Sequence, residues 1–141
     1  MNQIDILYPV FVQALLTLVV GGMMAVARAR AIATMDRQRG NPDLARGKTV
    51  WPEDAAKRAA NYSNQFELPV LFYAVVAFAL IAKGADLLMI VLAWLFVISR
   101  YAHSFVHVTS NRLRYRAPLF AIGFALLVCL WGWLAIWLAL E

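Results

Sequence analysis

Two sets of polar residues lie within otherwise apolar sequence, and both are spaced as helix faces. Arg100, His103, Ser104, His107 and Asn111 follow the register i, i+3, i+4, i+7 and i+11, one face of an α-helix. Arg58, Asn61, Asn64 and Glu67 step by three, a second stripe that drifts slowly around its own helix. A helix in lipid turns charged side chains toward protein or a water-filled cavity, because exposure at the bilayer centre costs roughly 2.5 to 3.5 kcal/mol on insertion scales. The two stripes are therefore expected to face each other in a bundle interior or at a subunit interface. The plainer reading of them is structural: Glu67 pairs with Arg100, and the asparagines and histidines tie helices together through hydrogen bonds. His103 and His107 at i, i+4 could present two nitrogens to one metal, but no glutamate lies between them in the metalloprotease pattern and no third ligand is evident, so no metal is expected. Ser104 lacks a nucleophile elbow and is not read as a hydrolase serine. The single cysteine, Cys129, lies among Leu, Val and Trp, where a thiol is poorly ionised, and is expected in the core.

The elements that must carry these stripes follow from composition. The chain has 141 residues, 63% of them apolar and 15% charged, with a mean hydropathy of +0.68. A soluble domain is about 45 to 50% apolar with about a quarter of its residues charged, so this is expected to be an integral membrane protein. It forms a single domain over residues 1–141, and one cysteine excludes a disulfide framework within the chain. Residues 6–27 form a first span, with Gln13 and Thr17 as its clearly polar members. A cleavable signal peptide is disfavoured, because Asp5 precedes the run while Arg28 and Arg30 follow it. The first helix is expected to run to about Arg39. Trp51-Pro52-Glu53-Asp54 reads as the next helix start, with proline at the first helical position and acidic residues in the first turn. The second span covers residues 62–82, so Asn61, Asn64 and Glu67 approach membrane depth. Lys83-Gly84-Ala85-Asp86 is a tight turn, residues 87–108 make a third span, and Pro118 opens a fourth over 118–140. The expected fold is an all-α, up-down-up-down four-helix membrane bundle.

Thirteen Lys and Arg stand against eight Asp and Glu. Eleven of the thirteen fall in two connections, residues 28–58 and 109–117, which this topology puts on one side of the membrane. The positive-inside rule makes that side cytoplasmic and leaves both termini outside. Orientation and contact with anionic lipid are one sufficient role for these charges. Nucleic acid is not an expected partner, since the arginines lack the context of a known module and lie against a membrane.

The run Lys57-Arg58-Ala59-Ala60-Asn61-Tyr62-Ser63-Asn64-Gln65-Phe66-Glu67-Leu68-Pro69 resembles the signature of the MAPEG family, the membrane-associated proteins of eicosanoid and glutathione metabolism. Asn64, Glu67 three residues later and Pro69 match that pattern. The family's arginine four residues before the asparagine is Ala60 here, so Arg58 would serve from half a turn away. Ser99-Arg100-Tyr101, a basic connection and Ala117-Pro118-Leu119-Phe120 resemble a second part of the pattern, and the resemblance extends over essentially the whole chain. His103, His107 and Asn61 lie outside it.

The resemblance implies a homotrimer, in a bacterial inner membrane, that binds glutathione in a cytoplasm-facing cleft between the first and second helices of neighbouring subunits. Arg28, Arg30, Arg58, Asn64, Glu67, Arg100, Tyr101 and Arg112 are the implied glutathione-binding set, and Asn61, His103 and His107, on the same two stripes, are candidates beside them. Glutathione has two carboxylates, an ammonium and a thiol, and arginine can grip a carboxylate at two points. Arg114 or Arg116, entering the fourth helix, is the implied cation that raises the thiolate fraction of a thiol whose free pKa is about 8.5. The implied activity is conjugation of glutathione to a lipophilic electrophile or reduction of a lipid peroxide, with glutathione as substrate. A non-catalytic lipid-binding or scaffold member of the family is the alternative. A small four-helix transporter is a lesser one, since residues 6–27 hold no carboxylate.

Overall fold

The computed structural model describes residues 2–36 and 51–140. Among these, four helices are long and apolar enough to cross a membrane, and no strand occurs. A short 3-10 turn, Gln3–Ile6, capped by Asn2, leads into α1, Leu7–Asp36. The second span is made of α2, Glu53–Ser63, a 3-10 turn Asn64–Phe66, and α3, Leu68–Ile81. The third is α4, Leu87–Val108, and the fourth is α5, Leu113–Leu140. Cross-chain hydrogen bonds fix the up-down-up-down order. Gln3 reaches the turn between the second and third spans, whereas Asn64 reaches the far end of the third.

Each boundary has a local cause. Glu53 and Asp54 occupy the first turn of α2, as expected, but Pro52 caps the helix with ψ 149° instead of entering it. The second span is not the continuous helix expected over 62–82. Pro69 has no N–H, and its ring would strike the Gln65 carbonyl four residues earlier, so the helix tightens at Asn64–Phe66 and restarts beyond Glu67, whose ψ is −101°. Asp86 caps α4 by accepting the Met89 N–H at 2.9 Å. The fourth span begins five residues earlier than the expected 118. Arg112 O receives the N–H groups of Tyr115 and Arg116, and Pro118 lies inside the helix, close enough to its start to remove only the bond to Arg114. Arg114 and Arg116 are therefore on a helix and not in a connection. The expected extension of the first helix to Arg39 lies partly outside the described residues.

The core is apolar and aromatic. Phe72 and Phe96 stack with ring centroids 4.6 Å apart, among buried Val75, Val76, Ala79, Met89, Ala93, Leu127, Leu130 and Leu134. Large apolar side chains such as Phe11, Leu18, Ile98, Phe124 and Val128 point outward, as lipid-facing residues do. Cys129 is exposed on the fourth span, contrary to the expected core position: neighbouring apolar residues describe burial equally well in lipid and in protein.

Candidate functional site at the basic end of the bundle

The face of α4 carrying Arg100, His103, Ser104 and His107 turns wholly inward; all four are buried, Arg100 completely. Gly123 on α5 lets the fourth span approach this face closely: a Cβ there would come within 3.1 Å of Ser99 Oγ, while Arg100 Cδ at 3.6 Å would be in ordinary contact. The second stripe meets this face as expected, but only through its middle. Asn61 donates to Ser104 Oγ at 2.8 Å, the Asn64 amide lies 3.2 Å from His107 Nδ1, and Arg100 Nη2 donates to Asn64 O at 3.4 Å. The stripe's ends point elsewhere. Arg58 is held by Asp54 at 3.0 Å, and Glu67 is exposed because the break before Pro69 rotates it out. Among the described residues Arg100 forms no ion pair with Glu67, so that part of the structural reading fails while the hydrogen-bonded part holds.

The fourth span closes the cluster. His103 Nδ1 donates to Arg116 O at 3.2 Å, and Arg116 Nη1 donates to both His107 Nε2, at 3.1 Å, and Asn111 Oδ1, at 2.9 Å. A guanidinium can only donate, so His107 Nε2 is an acceptor and its ring proton is on Nδ1; Asn64 Nδ2 is the atom placed beside Nδ1, and the amide turned end for end puts its oxygen there to accept. Beside this network is a cavity of about 280 Å³ lined by Asn64, His103, Leu113, Arg116, Ala117 and Phe120. The Phe120 ring is a shared wall, 5.9 Å from the His103 ring and 5.9 Å from Arg100 Cζ. Four buried polar atoms of the cluster have no partner among the described residues: Arg100 Nε and Nη1, His103 Nε2 and Asn61 Oδ1. Leaving such atoms unmet is costly, and Arg100 and Arg116 bring two positive charges with no bonded carboxylate among the described residues. The arrangement suits an anion carrying further hydrogen-bonding groups.

The remaining candidate residues do not join this cluster within one chain. Arg30 and Arg58 border a larger groove of about 410 Å³ between α1 and α2, floored by Val19, Gly22, Met23, Val26 and Ala27. Arg28 lies over the Trp51 ring at 5.1 Å. Tyr101 leaves the inward face and donates to Val12 O at 2.9 Å. Arg112 and Arg114 are exposed. Sequence reasoning missed the buried pair in which Gln13 Nε2 donates to Gln65 Oε1 at 3.1 Å, joining the first and second spans. Gln13 was the one amide in the first apolar run, which was signal enough to ask for a partner.

Comparison with known proteins gives one match. The MAPEG family model covers residues 6–136 of the 141. No curated protein and no solved structure matches the chain.

Proposed function

The chain belongs to the MAPEG family, and from this membership and a buried arginine that forms no ion pair among the described residues we propose that it is a membrane-bound glutathione transferase. It would conjugate glutathione to a lipophilic electrophile or reduce a lipid peroxide. The observation that carries the reading is Arg100: fully buried, bonded only to a backbone carbonyl, with Nε and Nη1 unmet. Glu67 attracts this guanidinium without pairing with it, and a buried guanidinium with no bonded carboxylate is expensive unless a ligand supplies one; glutathione brings two carboxylates. The polar side chains beside it, Asn64 and Arg116, suit the peptide and the sulfur. Exposed Glu67 suits the ammonium.

The split between the two groups of residues supports a composite site in a homotrimer. Arg28, Arg30 and Arg58 line one face of a subunit and Arg100, Asn64 and Arg116 another, so a neighbouring copy would bring the first group to the second. The lipophilic co-substrate would enter from the bilayer. The basic end would face the cytoplasm of a bacterial inner membrane, with both termini on the other side.

The chemistry asks little of the protein beyond binding and charge. The bound thiol loses its proton to water, a cation holds the thiolate, and the sulfur lone pair forms the new bond as the leaving group departs with its electron pair. A non-catalytic, lipid-presenting role is favoured by one observation, the alanine at position 60 where the family pattern has arginine. Titration calorimetry with glutathione in detergent, followed by conjugation to a chlorinated nitrobenzene, separates the readings. Binding with turnover supports the transferase, and binding without turnover the scaffold. Arg100→Ala and Glu67→Gln are each expected to abolish binding, and unchanged affinity in either would overturn the site.

A further inference from the structure

Three arginines, Arg112, Arg114 and Arg116, crowd the start of the fourth span, and each could be the cation at the sulfur. We propose that His107 and Asn111 are positioning residues that select Arg116 for this task, an inference that rests on the transferase reading above. Arg112 and Arg114 are exposed, and the Arg114 guanidinium lies 6.0 Å over the neighbouring Tyr115 ring. Arg116 is the partly buried one, and it lines the 280 Å³ cavity. Both protons of its Nη1 are taken, one by His107 Nε2 and one by Asn111 Oδ1. A planar guanidinium held at one nitrogen by two fixed acceptors has its plane set, and Nε and Nη2 remain for an anion in the cavity.

Both acceptors are themselves fixed. His107 is buried between two side chains, with Arg116 Nη1 3.1 Å from Nε2 and the Asn64 amide 3.2 Å from Nδ1; the guanidinium can only donate whereas an amide can turn either end to the ring, so Arg116 fixes Nε2 as the acceptor. Asn111 has φ 49°, and its N–H closes the end of α4 on Val106 O at 2.8 Å. Asparagine and glycine tolerate this left-handed conformation, and asparagine alone of the two adds an oxygen aimed back at Arg116. The turn residue thus has two separable jobs.

That separation supplies the test. Asn111→Gly keeps the backbone conformation and removes the oxygen, and His107→Phe keeps a ring and removes the acceptor. The readouts are glutathione affinity by calorimetry, the ultraviolet absorbance of bound glutathione thiolate, and kcat with a chlorinated nitrobenzene, where sulfur replaces chloride and the proton goes to solvent. Each variant is expected to lose about tenfold or more in thiolate fraction and kcat, as expected when a preorganised donor is misaimed, with glutathione affinity within about twofold. Added to Arg116→Gln, Asn111→Gly is expected to cost nothing further, because both act through one group. Native thiolate absorbance and kcat in Asn111→Gly, or losses that add in the double variant, would overturn the assignment while leaving the transferase reading intact. Failure of the native protein to bind glutathione at all would overturn both.

Discussion

The two ends of the bundle treat polar groups differently. At the end holding residues 82–86, Gln3 Nε2 donates to Lys83 O at 2.6 Å, and the Asp86 carboxylate spends one oxygen on the Met89 N–H and the other on Trp133 Nε1, each at 2.9 Å. Lys83 turns the chain at φ 60°, and Gly84 lies flat beneath Trp137. At the basic end, Arg100, His103 and Asn61 keep unmet donors and acceptors while fully or nearly buried. The closed end is a clamp that ties the first and fourth spans to the turn joining the second and third. The open, basic end keeps buried cationic and hydrogen-bonding groups unmet among the described residues, an arrangement that costs stability and that the transferase reading assigns to ligand binding.

The largest expected effect breaks this contrast from the open side. Arg100→Leu should eliminate calorimetric glutathione binding and yet leave the thermal unfolding midpoint in detergent unchanged or higher, because it removes a buried charge held by one long hydrogen bond and no ion pair among the described residues. A lower midpoint together with retained binding would make Arg100 structural and erase the distinction between the ends. On the closed side, Gly84→Ala places a Cβ 2.9 Å from the Trp137 ring and should cost about 1 to 3 kcal/mol by overpacking. Its glutathione affinity should equal that of the native protein, measured on the same detergent preparation. Asp86→Ala loses a helix cap and strands the Trp133 N–H, for about 1 to 2 kcal/mol, again without effect on binding. Smallest of all, Lys57→Ala removes a 4.0 Å surface pair with Glu53 and should stay within about 0.5 kcal/mol by chemical or thermal melting.

Much of this organisation was legible in the residues. The apolar runs gave the four spans, because a bilayer demands unbroken apolar length whatever the packing. The 3.6-residue period put Arg100, His103, Ser104 and His107 on one face, and they are buried together. What escaped was anything set by backbone direction at a particular residue. Glu67 steps in register with Asn61 and Asn64 only if the helix is continuous, and Pro69 breaks it. Pro118 looked like a helix start and is instead carried inside α5, because a proline near an N-terminus forfeits few bonds. Cys129 could not be placed by its neighbours, since lipid and core are equally apolar.

By itself, the sequence determined the class of the molecule, its spans and the family to which it belongs, because these follow from composition, periodicity and a local motif. Tertiary structure decided which polar groups meet. It paired Asn61 with Ser104 and Gln13 with Gln65, left Arg100 without an ion pair among the described residues, and chose Arg116 from three neighbouring arginines to line a cavity. Those outcomes depend on how helices rotate against one another and where a proline interrupts them, and hydrogen bonds that reach only about 3 Å cannot be read from spacing along one chain.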